Sequence, residues 1–126
     1  MKLVSYRDLI VWQKALALCC DVYKATRGFP SEERCGLTAE ARKTARSVVS
    51  NIAEGHRRHS TAEYIRFLRI ARGSGAELET QIILASRLTY LEDRPANALL
   101  AGADEIERML VALIRAMQAK LENPES

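Results

Sequence analysis

Apolar residues along the chain recur at alternating steps of three and four, the spacing that lines one side of an α-helix. Ala41, Ala45, Val48 and Ile52 share one such line. Tyr64, Leu68, Ala71, Gly75, Leu78, Ile82 and Ala85 share a second, and Leu99, Ala103, Ile106, Leu110, Leu113 and Met117 a third. Start and stop signals divide these stretches into four helices, at about 6–27, 38–57, 60–91 and 94–122. Ser5 with Asp8 is a variant capping box, and Gly28 followed by Phe29-Pro30 closes the first helix. Thr38 is placed to cap the second, Ser60-Thr61-Ala62-Glu63 is a full capping box for the third, and Asp93-Arg94-Pro95 opens the fourth. Residues 123–126 read as a frayed tail. Seams of this kind belong to helices packed about 20° from parallel, and short links make sequential helices antiparallel neighbours. The expected fold is all-α, an antiparallel up-down four-helix bundle forming one domain over residues 1–126.

The apolar faces are unequal in width. At 100° per residue, the large apolar side chains of the fourth helix stay within about 200°, which one core explains. Tyr64, Ile65, Phe67, Leu68, Ile70 and Ala71 sweep about 220° at the start of the third helix. The first helix, with Trp12, Leu16 and Tyr23 on its apolar side, is similarly broad. Such excess predicts a subunit interface using Trp12, Leu16, Tyr23, Ile65, Phe67 and Ile70.

Composition narrows the class. In 126 residues there are three prolines and six glycines, too little turn material for a β-sandwich or barrel. The longest run without a charge, Pro95 to Ala103, is nine residues, against about twenty for a membrane helix. The start carries charges before any apolar segment develops, unlike a signal peptide. Cys19, Cys20 and Cys35 form no disulfide framework and no four-ligand zinc set, and read as small buried apolar residues. A cytoplasmic protein with no membrane partner is expected.

Catalytic patterns do not stand out. The only two histidines, His56 and His59, lie with Glu54 and Glu63 at a helix junction, where solvated polar residues are ordinary, so neither a metal nor a cofactor is expected. Glu79 falls inside the apolar arc of the third helix and Glu77 at its edge. A buried carboxylate must be paired or protonated, which suggests structural ion pairs with Arg42 and Arg46. Glu54, Gly75, Glu77 and Glu79 are accordingly read as structural or packing residues, Gly75 admitting a close backbone. An enzyme resting on Glu54, Glu77 and Glu79 is the weakest reading.

Charge is the strongest functional cue. The overall +3 averages +1 over Met1–Glu33, +6 over Arg34–Gly75 and −4 over Ala76–Ser126. The central block holds Arg34, Arg42, Lys43, Arg46, Arg57, Arg58, Arg66, Arg69 and Arg72, nearly all arginine. Guanidinium groups bind phosphate oxygens bidentately, so these residues, Arg34 apart, form the candidate nucleic-acid surface. With few aromatics free to stack on bases, contact would be to backbone and shape.

The ordered motifs Asp8-Leu9-Ile10-Val11-Trp12-Gln13-Lys14-Ala15, Val22-Tyr23, Phe29-Pro30, Gly36-Leu37-Thr38, Ser50-Asn51-Ile52-Ala53-Glu54-Gly55, Tyr64-Ile65-Arg66-Phe67-Leu68 and Ala76-Glu77-Leu78-Glu79-Thr80 carry a further reading. They resemble the four-helix-bundle family encoded within intervening sequences of bacterial 23S ribosomal RNA genes, over about Tyr6 to Leu121. The chain departs from that pattern at Val48-Val49, where relatives commonly carry Ile-Pro. The resemblance implies a ring-shaped homopentamer with no known enzymatic activity. It extends to the accessory protein of diversity-generating retroelements, a basic pentamer that binds nucleic acid and a reverse transcriptase. The resulting expectation is a non-enzymatic oligomer binding structured RNA or an RNA–DNA hybrid. The alternative is a scaffold docking an acidic protein partner such as a polymerase.

Overall fold

The computed structural model describes residues 5–123, so the expected tail lies outside it except for Asn123, which ends the last helix. The four helices are α1 (Ile10–Thr26), α2 (Leu37–Arg57), α3 (Thr61–Arg87) and α4 (Asp93–Glu122), and no strand occurs among the described residues.

The first helix starts later than its periodicity suggested. Ser5 Oγ accepts from the Arg7 amide at 3.1 Å, which closes one 3-10 turn over Tyr6–Asp8. Leu9 is then extended (φ −73°, ψ 124°) before α1 begins. The bend buries Leu9 and sets the Tyr6 ring edge-on to Trp12 at 5.2 Å. Gln13 Nε2 pins it by donating to the Arg7 carbonyl at 2.8 Å.

Thr38 does not cap α2. Gly36 is the cap residue, Thr38 lies buried in the first turn, and Glu33 Oε1 accepts from the Leu37 amide at 3.0 Å. Ser60 caps α3 as expected, its Oγ accepting from the Glu63 amide at 3.1 Å. That helix stops at Arg87, four residues short of the expected Leu91. Thr89 turns left-handed at φ 64°, and the Tyr90 amide reaches back to the Ala85 carbonyl at 2.9 Å. This closure usually falls on glycine, because a β-branched residue is strained there. The reversal returns Leu91 to the core, where it is 8% exposed.

Each helix packs on two others: α1 on α2 and α4, α3 on α2 and α4. Ile52, Leu68, Leu78 and Leu110 are almost wholly buried at the centre. Each such side chain stabilises the fold by about 1.5–3 kcal/mol. Within α2, Asn51 Nδ2 donates to the Ser47 carbonyl, and across to α3 the Ser47 and Ser74 hydroxyls meet at 2.8 Å.

Two packing expectations are overturned. Gly75 is not the close-approach glycine, since a Cβ there would meet nothing within 4 Å. That role belongs to Gly55, whose Cβ would lie 2.7 Å from Phe67 Cβ. Ile65 (4% exposed) and Phe67 (9%) belong to the chain's own interior rather than to a free face. The guanidinium groups of Arg58 and Arg66 cover the Phe67 ring at 4.8 and 4.6 Å, so this part of the apolar arc is sheltered within the chain. Trp12 and Tyr23 are half-buried, whereas Leu16 on α1 and Ile70 on α3 are exposed. Of the cysteines only Cys19 is buried, and burial pushes its thiol pKa up; Cys20 and Cys35 are exposed.

Candidate nucleic-acid interface

The basic residues divide into those matched by carboxylates and those that are not. Arg58 pairs with Glu54 at 2.6 Å one helical turn away. Arg66 pairs with Glu63 at 2.8 Å, and that guanidinium pulls the Glu63 carboxyl below its ordinary range. Arg72 crosses from α3 to Glu107 of α4, and the bond raises its own pKa. Of the ridge Arg66, Arg69 and Arg72, Arg69 alone has no carboxylate partner among the described residues.

The α2 residues differ. Arg42 is half-buried: its Nε donates to Thr26 Oγ1 at 2.8 Å, its Nη2 to the Tyr23 carbonyl at 3.3 Å, and its guanidinium lies 4.8 Å over the Tyr23 ring. It therefore shares with the Thr26 hydroxyl, 3.1 Å away, the task of satisfying the Tyr23 carbonyl near the end of α1. Arg46 is exposed and donates to the Tyr23 hydroxyl. Lys43 is exposed beside a polar groove between α2 and α3 that Glu40 and Glu77 also border. Arg57 stands at the end of α2, 5.8 Å over the Tyr6 ring.

The proposed pairing of Glu77 and Glu79 with Arg42 and Arg46 does not occur. Glu77 is exposed. Glu79 is partly buried in an open cavity of about 480 Å³ shared with Arg69, Arg72 and Glu107. Burial first, then the charges of Asp104 and Glu107, hold its carboxyl above the usual range. The two arginines had already been engaged by Tyr23 and Thr26 of α1. His56 sits edge-on to Tyr64 at 5.8 Å, and no group of three or more metal-binding side chains converges among the described residues. The Tyr64 hydroxyl is buried without a partner, and burial pushes its pKa up to about 12.

Periodicity did not mark Arg27 and Arg34 as site residues, yet both join Arg42 around one groove at the α1–α2 corner. Their neighbours in sequence carry no local signal for this; the convergence depends on how the connection folds.

Comparison with known proteins adds two findings. A family model described as 23S rRNA-intervening sequence protein matches residues 7–112. A crystal structure of a protein of unknown function from the S23 ribosomal protein family of Bacteroides thetaiotaomicron superposes with a TM-score of 0.76. The two chains share 22% identity, the match covering 83% of this chain and 98% of the other, so the likeness concerns the fold. No curated protein matches the chain.

Proposed function

The chain belongs to the 23S rRNA-intervening sequence protein family, and from that premise we propose that it is a non-enzymatic bundle protein binding nucleic acid, with structured RNA or an RNA–DNA hybrid favoured. The supporting observation is the block Arg34–Gly75, with nine basic and three acidic residues. Three of the nine, Arg58, Arg66 and Arg72, are matched by carboxylates, which leaves Arg34, Arg42, Lys43, Arg46, Arg57 and Arg69 available to phosphate.

The helices are read as an antiparallel up-down bundle. Contacts that run in opposite senses support this: Arg42 with Thr26 and Arg46 with Tyr23, then Ser47 with Ser74 and Gly55 with Phe67. Assembly into a ring, for which a pentamer is the family expectation, is supported by Ile70, Ile83 and Leu84 on α3 and Leu88 at its cap, all exposed. A cytoplasmic site of action fits a nucleic-acid ligand, and no described helix is long and apolar enough to cross a membrane.

Fluorescence anisotropy against an RNA hairpin, the matching DNA and a hybrid, at 50 and 200 mM salt, tests the reading. Four phosphate contacts would weaken binding roughly 150-fold across that range. Reversing the charges of Lys43, Arg46 and Arg69 should weaken binding more than reversing Arg58 and Arg66. Affinity that is absent for all three ligands, or indifferent to salt, overturns the proposal.

A further inference from the structure

Where α1 hands over to α2, the chain forms an open groove of about 290 Å³. Arg27 borders it from the end of α1, Ser31 and Arg34 from the connection, and Thr38 and Arg42 from the first turns of α2. Three arginines thus border one opening, and no carboxylate lines it. None of the three takes part in an ion pair among the described residues. Like charges gathered this way repel one another until an anion joins them.

The local structure keeps that charge uncompensated. Glu33, one of two acids between the groove residues Ser31 and Arg34, is turned to other work: one carboxylate oxygen accepts from the Leu37 amide and the other from the Tyr90 hydroxyl, both at 3.0 Å. Glu32 is exposed and does not border the opening. Arg42 is fixed by Thr26 and Tyr23 through Nε and Nη2, which leaves Nη1 for a ligand. Its rotamer is set before anything binds, so less ordering is lost on association. The Ser31 and Thr38 hydroxyls add neutral donors beside it.

We propose that this groove seats a terminal phosphate monoester of the bound nucleic acid in preference to an internal phosphodiester; the inference rests on the nucleic-acid reading above. A monoester carries about −1.5 to −2 charge at pH 7 and three acceptor oxygens, as a phosphorylated side chain does. An internal diester offers one negative charge and two free oxygens. Three arginines on one groove match the dianion better: the Arg27 and Arg34 forks can each take two oxygens, and Arg42 offers its Nη1.

The test uses one RNA hairpin made with a 5′-phosphate, a 3′-phosphate or hydroxyls at both ends, titrated into the full chain and into R27Q/R34Q. That double variant spares Arg42, which also holds α1 to α2, and circular dichroism checks its fold. At least one phosphorylated end should bind about tenfold more tightly, one charge-assisted contact's worth, and the double variant should lose the preference. Equal affinity for all ends, or a preference that survives in R27Q/R34Q, overturns the proposal. Inorganic phosphate, followed by NMR on the amides of residues 31–39, separates this failure from that of the broader reading. Saturable shifts that R27Q/R34Q abolishes, with no RNA bound, keep an anion seat and remove the nucleic acid. Salt-sensitive RNA binding with neither end preference nor phosphate shifts removes the seat and keeps the nucleic acid.

Discussion

Replacing Gly55 with alanine, beside the same change at Gly73, weighs helix packing against helix propensity within one molecule. At Gly55 the new Cβ would stand 2.7 Å from Phe67 Cβ, 3.1 Å from Tyr64 Cδ1 and 3.2 Å from the Tyr64 carbonyl oxygen. Phe67 Cβ is tied directly to the α3 backbone, so relief requires α2 and α3 to separate by several tenths of an ångström. Overpacking of this kind costs about 1–3 kcal/mol. The opposing gain from removing a helical glycine is about 1 kcal/mol at most. It is smaller here because Gly55 lies in the last turn of α2. Gly55→Ala should therefore destabilise the fold by about 1–2 kcal/mol. Gly73 is mid-helix with nothing within 4 Å, so Gly73→Ala should stabilise by about 0.5–1 kcal/mol. Urea unfolding followed by circular dichroism, at matched protein concentrations, measures both. Each kcal/mol corresponds to roughly 4 °C in a thermal melt of a chain this size. A Gly55→Ala variant as stable as the parent would refute the close-approach argument. Loss of stability in Gly73→Ala that deepens with dilution would reveal a second copy's backbone against that face.

Glu79→Gln should raise the melting temperature at pH 7. The folded pKa of Glu79 is raised, so the native state binds a proton more readily than the unfolded chain, and wild-type stability falls as pH rises through that pKa. The variant's advantage should vanish below about pH 4, and a pH series of melts showing the opposite slope would count against the assigned environment. Tyr64→Phe removes a buried hydroxyl that has no partner. It should stabilise by up to about 1 kcal/mol, read as a higher urea midpoint at unchanged m-value; a lower midpoint would mean that the hydroxyl is bonded in solution. Arg42→Ala should cost about 1–2 kcal/mol, because it removes the donor to the Thr26 hydroxyl and one of the two donors to the Tyr23 carbonyl. Chemical denaturation measures that loss, and a neutral result would show that the bracket between α1 and α2 is dispensable.

The helices were legible in the sequence because each carries a long, regular apolar line. Ala41, Ala45, Val48 and Ile52 are all buried as their spacing demanded, and so are Leu68, Ala71, Leu78, Ile82 and Ala85. The ends were less legible where tertiary contacts decide. Leu9 leaves the helix so that Tyr6 can rest on Trp12, and Thr89 turns left-handed with no glycine or asparagine to announce it. The charge block was visible as composition, but its division was not. Whether an arginine meets a carboxylate thirty-five positions away, as Arg72 meets Glu107, is settled by helix register. Phe67 was misread as free surface for a related reason. Its cover consists of arginines, which hydropathy scores as polar while their guanidinium groups sit over the ring.

Glu33 and Tyr90 give one end of the bundle a mechanical character of its own. Their bond, together with the Phe29 ring packed 5.7 Å from that of Tyr90, stitches the α1–α2 connection to the α3–α4 connection across fifty-seven positions of sequence. The same carboxylate holds the first amide of α2. Two loops that would otherwise fray separately are thus joined into one opening unit. Amide hydrogens at Leu37 and Tyr90 should exchange with solvent in step, and severing the stitch with Tyr90→Phe should release both at once. The arginine groove shares Phe29 with this stitch, so whatever loosens the stitch should also loosen one wall of the groove.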